Sequence, residues 1–368
     1  MSKIMMLCPK DITFNFRREL IERMLSLGHE VVLVSPYGSI IDEYKELGCS
    51  FINCAMDRRG TSIKNDSKLI INYLKIIKRA QPDVVLTYTG KCSIYGGLVC
   101  SILKIPYIIN AAGVMKAGET FSKLELFILE LTKLSFRKAK CIMNQNSYEL
   151  ELNRKLLKNK TPCRLIPGSG VNLNRFEYQE YPANDDLIVF NYVARIMHSK
   201  GIDEFLECAK RIREEYSNTE FVIYGDYDDE RYKSIIKEYE KKKIIKYCGV
   251  KSDMRPFIKT AHAVIHPSYY EGMSNVVLEH SAMGRPCIGS NVPGVKDSID
   301  NGVTGYIFEP RNVEDLTSKV INFIKLPHAE KEKMGRLARE KMEQEFNRNI
   351  ITHIYEEEIK KILKKSNE

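Results

Sequence analysis

Apolar and polar residues follow a repeating order along the chain. An apolar run at residues 4–8 is followed by a loop, an amphipathic helix that ends near Gly28 and a second apolar run at 31–34. The second half opens in the same way, with an apolar run at 188–194, a loop, an amphipathic helix and a run at 221–224. Short apolar runs that alternate with amphipathic segments are typical of parallel strands covered by helices. The order therefore predicts an α/β fold with two doubly wound parallel-sheet domains.

The rest of the pattern predicts further elements in both halves. In the first half we expect strands at 84–87, 107–110, 141–144 and 164–166, with helices near 66–79, 93–103 and 121–138. In the second half we expect strands at 245–248, 263–266, 287–290 and 305–308, and one polar, lysine-rich helix from about 329 to 365. Residues 177–186 are rich in Glu, Tyr, Pro, Asn and Asp and predict a linker. We therefore place the first domain at 1–180, with a C-terminal helix at about 345–368 that can pack back on it, and the second at 181–345.

Length and composition agree with this division. The chain has 368 residues, enough for two domains with full hydrophobic cores. With 43% hydrophobic residues, 13 Pro, 21 Gly and no low-complexity tract, we expect it to be ordered nearly throughout. No apolar run approaches the roughly 18 residues of a spanning helix, and Pro9, Lys10 and Asp11 interrupt the first run. We expect a cytosolic protein or one peripheral to a membrane.

Cysteine and histidine spacing does not predict a metal site. The ten cysteines include no CxxC pair, so we expect reduced, mostly buried thiols. His262 and His266 are four residues apart, but His266 stands between an apolar run and Pro267. That context favours a strand end over a helical metal pair.

The net charge of +9 lies entirely in the first half. Residues 1–185 contain 27 Lys and Arg against 18 Asp and Glu, whereas residues 186–368 contain 30 of each. Such an asymmetry suggests that the first half meets an anionic surface, either membrane headgroups or a polyphosphate. An uneven distribution of lysines without functional meaning is the alternative.

The segment from Glu271 to Gly284 carries the strongest local signal. Ser274 or Asn275 can cap a helix that ends before Gly284, so free N–H groups and the positive end of the helix dipole can bind a phosphate. Gly272 lets the backbone approach an anion closely. Glu271 and Glu279 would repel that anion unless they accept hydrogen bonds from sugar hydroxyls. Taken alone, the segment also fits a capped surface helix with two solvated glutamates.

Two cations follow the first strand of the same half. Arg195 and Lys200 lie on a strand-end loop, where an arginine can bind a diphosphate bidentately and a lysine acts as a point charge. A nucleotide diphosphate is therefore the expected ligand. The loops at Gly225 and Val250 could hold the base and ribose, although either alone is ordinary turn chemistry.

Together these motifs resemble the nucleotide-sugar glycosyltransferases of family 4. The resemblance rests on the R-x4-K and E-x7-E motifs and on three further short motifs: Arg195 with Lys200, Glu271 with Glu279, Gly284 with Pro286, Pro293 with Gly294, and residues 301–305. It implies a GT-B fold, in which two Rossmann-like domains face each other across a cleft. Segments 133–139, 144–150 and 166–176 look like those of bacterial enzymes that extend lipid-linked oligosaccharides and surface polysaccharides.

The resemblance implies a role for each matching residue. Arg195 and Lys200 would hold the donor diphosphate, Glu279 the ribose and Glu271 the hexose. Further donor-binding positions are implied at Gly225, Val250, Gly272, Met273, Ser274 and Asn275. Family members transfer with retention of configuration and usually without a metal, so we expect neither metal nor cofactor beyond the donor, for which a UDP-sugar is expected.

The first half departs from the family at one position. Many relatives have a histidine near the reacting sugar, but this sequence has none between His29 and His198. Backbone groups, Asn110 or Lys91 must fill that place, and an inverting enzyme would need a base such as Asp11 or Glu119. The absence favours retention, in which the leaving phosphate oxygen can accept the proton. The acceptor-side candidates are Phe14, Asn15, Arg17, Lys91, Asn110 and Gly113.

We expect the acceptor to be a sugar on an undecaprenyl-type diphosphate carrier at a bacterial membrane. The loop 10–18 and the helix near 121–138 could place a basic, partly apolar surface on anionic lipid. That surface comprises Phe121, Leu124, Leu126, Phe127, Leu131 and Leu134 among Lys123, Lys133, Arg137 and Lys138. In the alternative reading most of these apolar residues are core.

A transferase that acts on a non-lipid acceptor is one alternative function, and three others differ in kind. A nucleotide-sugar epimerase can use the same architecture, and a non-catalytic sugar-nucleotide sensor would not need both Glu271 and Glu279. A nucleic-acid-binding protein is disfavoured because the basic residues are scattered and the second half is neutral. The sequence encodes neither the donor sugar, the linkage nor the oligomeric state.

Overall fold

The computed structural model describes residues 1–57, 62–111 and 123–365, and Gly113 lies outside them. The chain forms two compact units. The first comprises Met1–Ser169 and Asn349–Glu368, and the second comprises Gly170–Arg348. Each unit contains one parallel sheet with covering helices, as the sequence predicted.

The first unit is built on a seven-stranded parallel sheet in the order β3-β2-β1-β4-β5-β6-β7. Its strands are β1 (Lys3–Leu7), β2 (Glu30–Ser35), β3 (Ser50–Asn53), β4 (Val84–Tyr88), β5 (Tyr107–Ala111), β6 (Cys141–Asn144) and β7 (Cys163–Leu165). Its first helices are α1 (Arg18–Ser26), α2 (Ile41–Glu46), α3 (Ile63–Ala80), α4 (Gly97–Leu103), α5 (Lys123–Phe136) and α6 (Ser147–Leu156). A π-helical turn, Cys92–Gly96, precedes α4.

Both faces of this sheet are buried. Ile4 and Met6 contribute to one core cluster, and Met5 and Leu7 contribute to another. Successive side chains of a strand point to opposite faces, so a strand covered on both sides needs an unbroken apolar run. This is why the apolar runs in the sequence identified the central strands.

The second unit repeats the arrangement with six strands in the order β10-β9-β8-β11-β12-β13. Its strands are β8 (Ile188–Val193), β9 (Thr219–Tyr224), β10 (Lys246–Tyr247), β11 (Ala263–His266), β12 (Cys287–Ser290) and β13 (Gly305–Phe308). Its helices are α7 (Ile202–Glu215), α8 (Tyr232–Lys241), α9 (Arg255–Lys259), α10 (Asn275–Ala282), α11 (Val313–Lys325) and α12 (His328–Glu345). The strand order reverses between β8 and β11, and in the first unit between β1 and β4. Ligands of open parallel sheets bind beyond the carboxyl ends of strands at such points.

The second unit begins earlier than the boundary placed after residue 180. Val171 pairs with Asn347 in a parallel bridge, and Phe176 packs in a core cluster of the second unit. The buried Arg285 donates to the carbonyls of Gln179, at 3.0 Å, and Glu180, at 2.8 Å. These contacts attach residues 170–180, including the start of the predicted linker, to the second unit.

The prediction of a single helix from 329 to 365 is wrong. Helix α12 ends at Glu345, and a separate helix, α13 (Arg348–Lys365), follows. The break lies where Asn347 pairs with Val171. Ile351, Tyr355 and Ile359 of α13 then join the core of the first unit. Within the described ranges, none of the helices is both long and apolar enough to cross a membrane.

Candidate active site

Two loops meet at the reversal point of the second sheet. The loop after β8 carries Arg195 and Lys200 and ends at Gly201, whose φ of +69° lies in the left-handed region. A Cβ on Gly201 would lie 2.1 Å from the carbonyl oxygen of Pro267, in the loop after β11. The backbone of Tyr269 also donates to the carbonyl of Ser199 at 3.0 Å. Close approach at a glycine therefore sets Lys200 beside the loop that carries Glu271.

A hydrogen-bonded chain of four side chains occupies this position. Lys200 Nζ lies 2.5 Å from Glu271 Oε1, and His266 Nε2 lies 3.2 Å from the same oxygen. Ser274 Oγ lies 3.0 Å from His266 Nε2. Burial alone would raise the pKa of Glu271, but the contacts with His266 and Lys200 outweigh it and lower that pKa to about 2. Glu271 is therefore a carboxylate at neutral pH.

The N-terminus of α10 is built as the sequence predicted. Ser274 is the N-cap, and its side chain accepts a hydrogen bond from the backbone of Val277. The backbone of Ser274 donates to the carbonyl of Gly294 at 2.9 Å. Gly294 has φ of +76°, and a Cβ there would lie 2.3 Å from the carbonyl oxygen of Gly272. The Pro293–Gly294 motif thus packs directly on the loop before α10, which begins at Asn275, and Met273 packs on an adjoining core cluster.

Glu279 lies in α10 and is partly buried. No hydrogen bond or ion pair connects its carboxylate to a described residue. Burial raises its pKa to about 7, against the opposing charges of Arg348 and Arg175. A carboxylate that is withdrawn from water without a protein donor is suited to accept hydrogen bonds from a ligand.

Arg195 is not free in this structure. Its Nη1 lies 2.6 Å from Oδ2 of Asp228, and nearly half of the Arg195 side chain is exposed. Gly225 donates from its backbone to the carbonyl of Gly249 at 3.1 Å, which joins the loops after β9 and β10. Val250 follows and is 66% exposed. An exposed valine on that loop offers an apolar surface to a flat ring.

Sequence reasoning missed two members of the site. His266 was considered only as half of a metal pair, yet it contacts Glu271. His262, at the other end of β11, instead accepts from the backbone of Val189 at 3.1 Å. Asp228 gave no signal, because its role depends on how the loop after β9 folds. Among the described residues, no group of three or more His, Cys, Asp or Glu side chains is arranged to hold a metal ion.

Two of the acceptor-side candidates contact Tyr44 in the first unit, and the expectation for Phe14 needs correction. Phe14 is fully buried and packs edge-to-face with Tyr44, with ring centroids 6.0 Å apart. Asn15 accepts a hydrogen bond from the Tyr44 hydroxyl at 3.0 Å. Phe14 is therefore not available to a ligand, because the short turn that contains it packs inward.

Lys91 follows β4, as expected, but it is engaged. Its Nζ lies 2.6 Å from Oδ1 of Asp66, and the Tyr95 hydroxyl donates to the other oxygen of that carboxylate at 2.9 Å. Thr89, two residues earlier, has φ of +69°, which is unusual for a β-branched residue. Strained backbone of this kind persists only where surrounding structure fixes it.

Arg17 and Asn110 lie near the helix that returns from the C-terminus. Asn110 donates to the Tyr355 hydroxyl at 2.8 Å and accepts from Gln145 at 3.0 Å. Arg17 is only 4% exposed, and its guanidinium lies 5.0 Å from the ring centroid of Tyr88 and 5.9 Å from that of Tyr355. No carboxylate of a described residue pairs with Arg17, and its Nε lacks a partner. It is a buried cation at the carboxyl end of the sheet.

Helix α5 exposes apolar side chains, so the alternative in which most of them are core is wrong. Leu124, Leu126, Phe127 and Leu134 are between 48% and 60% exposed. Arg137 and Lys138 follow and are exposed, whereas Lys133 is paired with Glu130. Phe121 and the side chain of Lys123 lie outside the described residues. We call Leu124, Leu126, Phe127, Leu134, Arg137 and Lys138 the α5 surface.

Two family models match the chain, one in each half. A family model for glycosyl transferases group 1 matches residues 174–341, and one for glycosyl transferase 4-like proteins matches residues 3–146. The chain is 25% identical to N,N'-diacetylbacillosaminyl-diphospho-undecaprenol alpha-1,3-N-acetylgalactosaminyltransferase of Campylobacter jejuni, over 83% of this chain and 85% of that protein.

Two further proteins resemble the chain. UDP-Gal:alpha-D-GlcNAc-diphosphoundecaprenol alpha-1,3-galactosyltransferase of Escherichia coli is 25% identical over 72% of each chain. The crystal structure of HepE from Anabaena in complex with UDP-glucose matches with a TM-score of 0.79 at 15% identity, over 98% of this chain and 100% of that chain. The structural match shows the shared two-sheet fold.

Proposed function

The chain belongs to the glycosyltransferases whose group 1 and 4-like models match its two halves, and from this premise we propose that it transfers a hexose or N-acetylhexosamine from a nucleotide diphosphate sugar to a lipid-linked glycan. The observation that supports donor binding is that Lys200, Glu271 and the capped N-terminus of α10 lie together where the strand order of the second sheet reverses. A cation, a sugar-binding carboxylate and free N–H groups together suit a sugar diphosphate.

Each donor residue has a distinct task in this proposal. Lys200 and Arg195 bind the diphosphate and stabilise the negative charge that grows on the departing nucleotide. The first turn of α10 binds the distal phosphate. Glu279 accepts from the ribose and Glu271 from the transferred sugar. The exposed Val250 contacts the base, for which uracil is proposed because the Escherichia coli relative is named for UDP-Gal.

We propose that transfer retains the anomeric configuration and needs no metal ion. No histidine occurs between His29 and His198, where a base for inversion would be sought, whereas a leaving phosphate oxygen can itself accept the acceptor's proton. Lys200, Arg195 and the helix dipole supply the positive field that a divalent ion would otherwise provide. Activity should persist in EDTA, and strict dependence on magnesium or manganese would contradict this part.

The acceptor is proposed to be a sugar on a polyprenyl diphosphate. The relatives from Campylobacter jejuni and Escherichia coli described above both carry diphospho-undecaprenol acceptors in their names. The first unit contributes the buried cation Arg17 for an anionic group. The α5 surface combines exposed apolar side chains with basic residues, which suits attachment to an anionic bilayer from one side. The enzyme would thus be peripheral to the cytoplasmic face of a bacterial membrane.

A donor panel tests this proposal. Purified protein is mixed with individual nucleotide sugars, and thermal stability is measured, since a ligand that binds only the folded state raises it. Any stabilising donor is then incubated with a synthetic polyprenyl-diphosphate saccharide, and the product's anomeric coupling is read by NMR. A product with the donor's configuration supports the proposal. Conversion of the donor without acceptor would indicate an epimerase, and transfer only to free soluble sugars would contradict the lipid acceptor.

A further inference from the structure

His266 is enclosed at the carboxyl end of β11. Only 3% of it is exposed, so it is poorly placed to touch a substrate. Its Nε2 nevertheless lies 3.2 Å from Glu271 Oε1 and 3.0 Å from Ser274 Oγ. Because Glu271 is ionised, Nε2 must carry the proton in its contact with that carboxylate. His266 therefore acts through other side chains.

The two oxygens of Glu271 are used unequally. Lys200 Nζ and His266 Nε2 both contact Oε1. Oε2 receives no hydrogen bond from a described residue. Two donors on one sp² oxygen favour one orientation of the carboxylate, because hydrogen bonds to such an oxygen lie near its lone-pair directions, so Oε2 becomes an acceptor at a defined place. Without His266, Lys200 alone would hold Glu271 at the end of two flexible side chains.

His266 also connects Glu271 to the phosphate side of the site. Ser274 Oγ, which contacts His266, is the same atom that accepts from the backbone of Val277 in the first turn of α10. One imidazole therefore joins the sugar-binding carboxylate to the cap of the helix that faces the phosphate.

We propose that His266 is a positioning residue that fixes Glu271 so that Oε2 accepts a hydroxyl of the transferred sugar. The inference rests on the proposed function, because only a bound sugar uses Oε2. Loss of His266 is therefore expected to affect the position of the reacting sugar and not the binding of the nucleotide. A group that orients the sugar affects turnover more than affinity for the nucleotide.

A double-mutant cycle tests the proposal. Wild type, His266→Leu, His266→Gln, Glu271→Ala and the double variant His266→Leu/Glu271→Ala are compared for kcat, UDP affinity and melting temperature. We expect His266→Leu to lower kcat about 10- to 30-fold while the UDP Kd stays within about threefold. His266→Gln restores a donor near Nε2 and should recover most of the activity. In the Glu271→Ala background, loss of His266 should have no further effect on kcat.

His262→Leu is the matched control. His262 is equally buried just before the same strand, but it contacts the backbone of Val189 and Asn184 and lies 3.8 Å from Asp185 Oδ1, away from Glu271. Its loss should lower the melting temperature and leave kcat nearly unchanged. Equal losses in His266→Leu and His262→Leu, additivity with Glu271→Ala, or no recovery in His266→Gln would overturn the positioning role. A wild-type protein that transfers no sugar would instead overturn the proposed function, and the positioning role with it.

Discussion

Arg195 and Asp228 form an ion pair of 2.6 Å, so a guanidinium proposed to bind a diphosphate is already paired with a carboxylate of the protein. The two residues come from the loops after β8 and β9. A diphosphate must therefore compete with, or share, the carboxylate for Arg195. Asp228 also places a negative charge beside an anion site, which weakens anion binding.

Asp228→Asn should tighten UDP binding about two- to fivefold at low ionic strength. The substitution removes one negative charge near the diphosphate and keeps a hydrogen-bond acceptor for Arg195. Calorimetric titration at two salt concentrations measures the effect, which should shrink as salt screens it. Weaker binding in Asp228→Asn would show that Asp228 chiefly orients Arg195.

Lys200→Ala and Arg195→Ala should each reduce turnover about 10²- to 10³-fold. Both remove a charge-assisted contact to a phosphate that becomes more negative in the transition state. Steady-state kinetics with the preferred donor measure the loss, and Lys237→Ala, on an exposed face of α8, controls for removal of a positive charge. Near-wild-type turnover in both variants would contradict the diphosphate assignment.

Glu279→Gln should stabilise the protein at pH 8 by about 1–3 kcal/mol. Burial raises the pKa of Glu279 from 4.5 to about 7, so the folded state holds this proton more tightly than the unfolded state. The stability from this group is complete below pH 4.5 and is lost as the pH rises through 7. Urea unfolding of wild type and variant at pH 5 and pH 8 measures the difference.

Glu271→Gln provides the opposite control. Its lowered pKa means that ionised Glu271 stabilises the fold above pH 4.5 and loses that effect as the pH falls toward 2. Glu271→Gln should therefore destabilise the protein at pH 8, where Glu279→Gln stabilises it. The same sign for both variants would contradict the contrast between a paired and an unpaired carboxylate.

Arg17→Met should raise the KM for the lipid-linked acceptor at least about tenfold while the free energy of unfolding stays within about 1 kcal/mol of wild type. Replacement of a buried, unpaired cation by an apolar side chain of similar length often costs little stability. Kinetics at saturating donor and urea unfolding provide the two readouts. A large loss of stability with unchanged KM would assign Arg17 to the core alone.

Phe127→Ser/Leu134→Ser should reduce binding to anionic vesicles at least about tenfold at every salt concentration, because each side chain loses about 1.5–3 kcal/mol of apolar burial. Arg137→Ser/Lys138→Ser should weaken binding mainly at low salt, at about 1 kcal/mol for each charge. Vesicle sedimentation measures both. Leu27→Ser, at an exposed leucine after α1, is the control. Equal binding of wild type to neutral and anionic vesicles would contradict the charge contribution.

The central strands and the N-cap of α10 were predictable because the relevant signals are local. An apolar run such as 188–194 encodes a strand buried on both faces, and Ser274 before an apolar helix encodes its own cap. The short edge strand Ser50–Asn53 was not predicted, because it is only partly buried and lacks such a run. The family resemblance, which rested on short motifs, is confirmed by the matching family models.

Contacts between distant segments were not predictable. The sequence places Phe14 in a loop, whereas in the structure it packs in the core against Tyr44, thirty positions further along the chain. Lys91 is engaged by Asp66, and α12 is separated from α13 where Asn347 pairs with Val171. Nothing in the immediate neighbourhood of these residues specifies the partner. The roles of His266 and Asp228 were hidden for the same reason.

The return of α13 to the first unit determines the order in which the nascent chain can complete its domains. Residues 170–348 are contiguous, so the whole second unit is synthesised before Tyr355 and Ile359, which cover apolar strands of the first unit. Part of one face of the first sheet therefore stays exposed to water until the second unit has been synthesised. The core of the first unit can therefore be completed only after α13 has been made, although all seven of its strands are synthesised earlier.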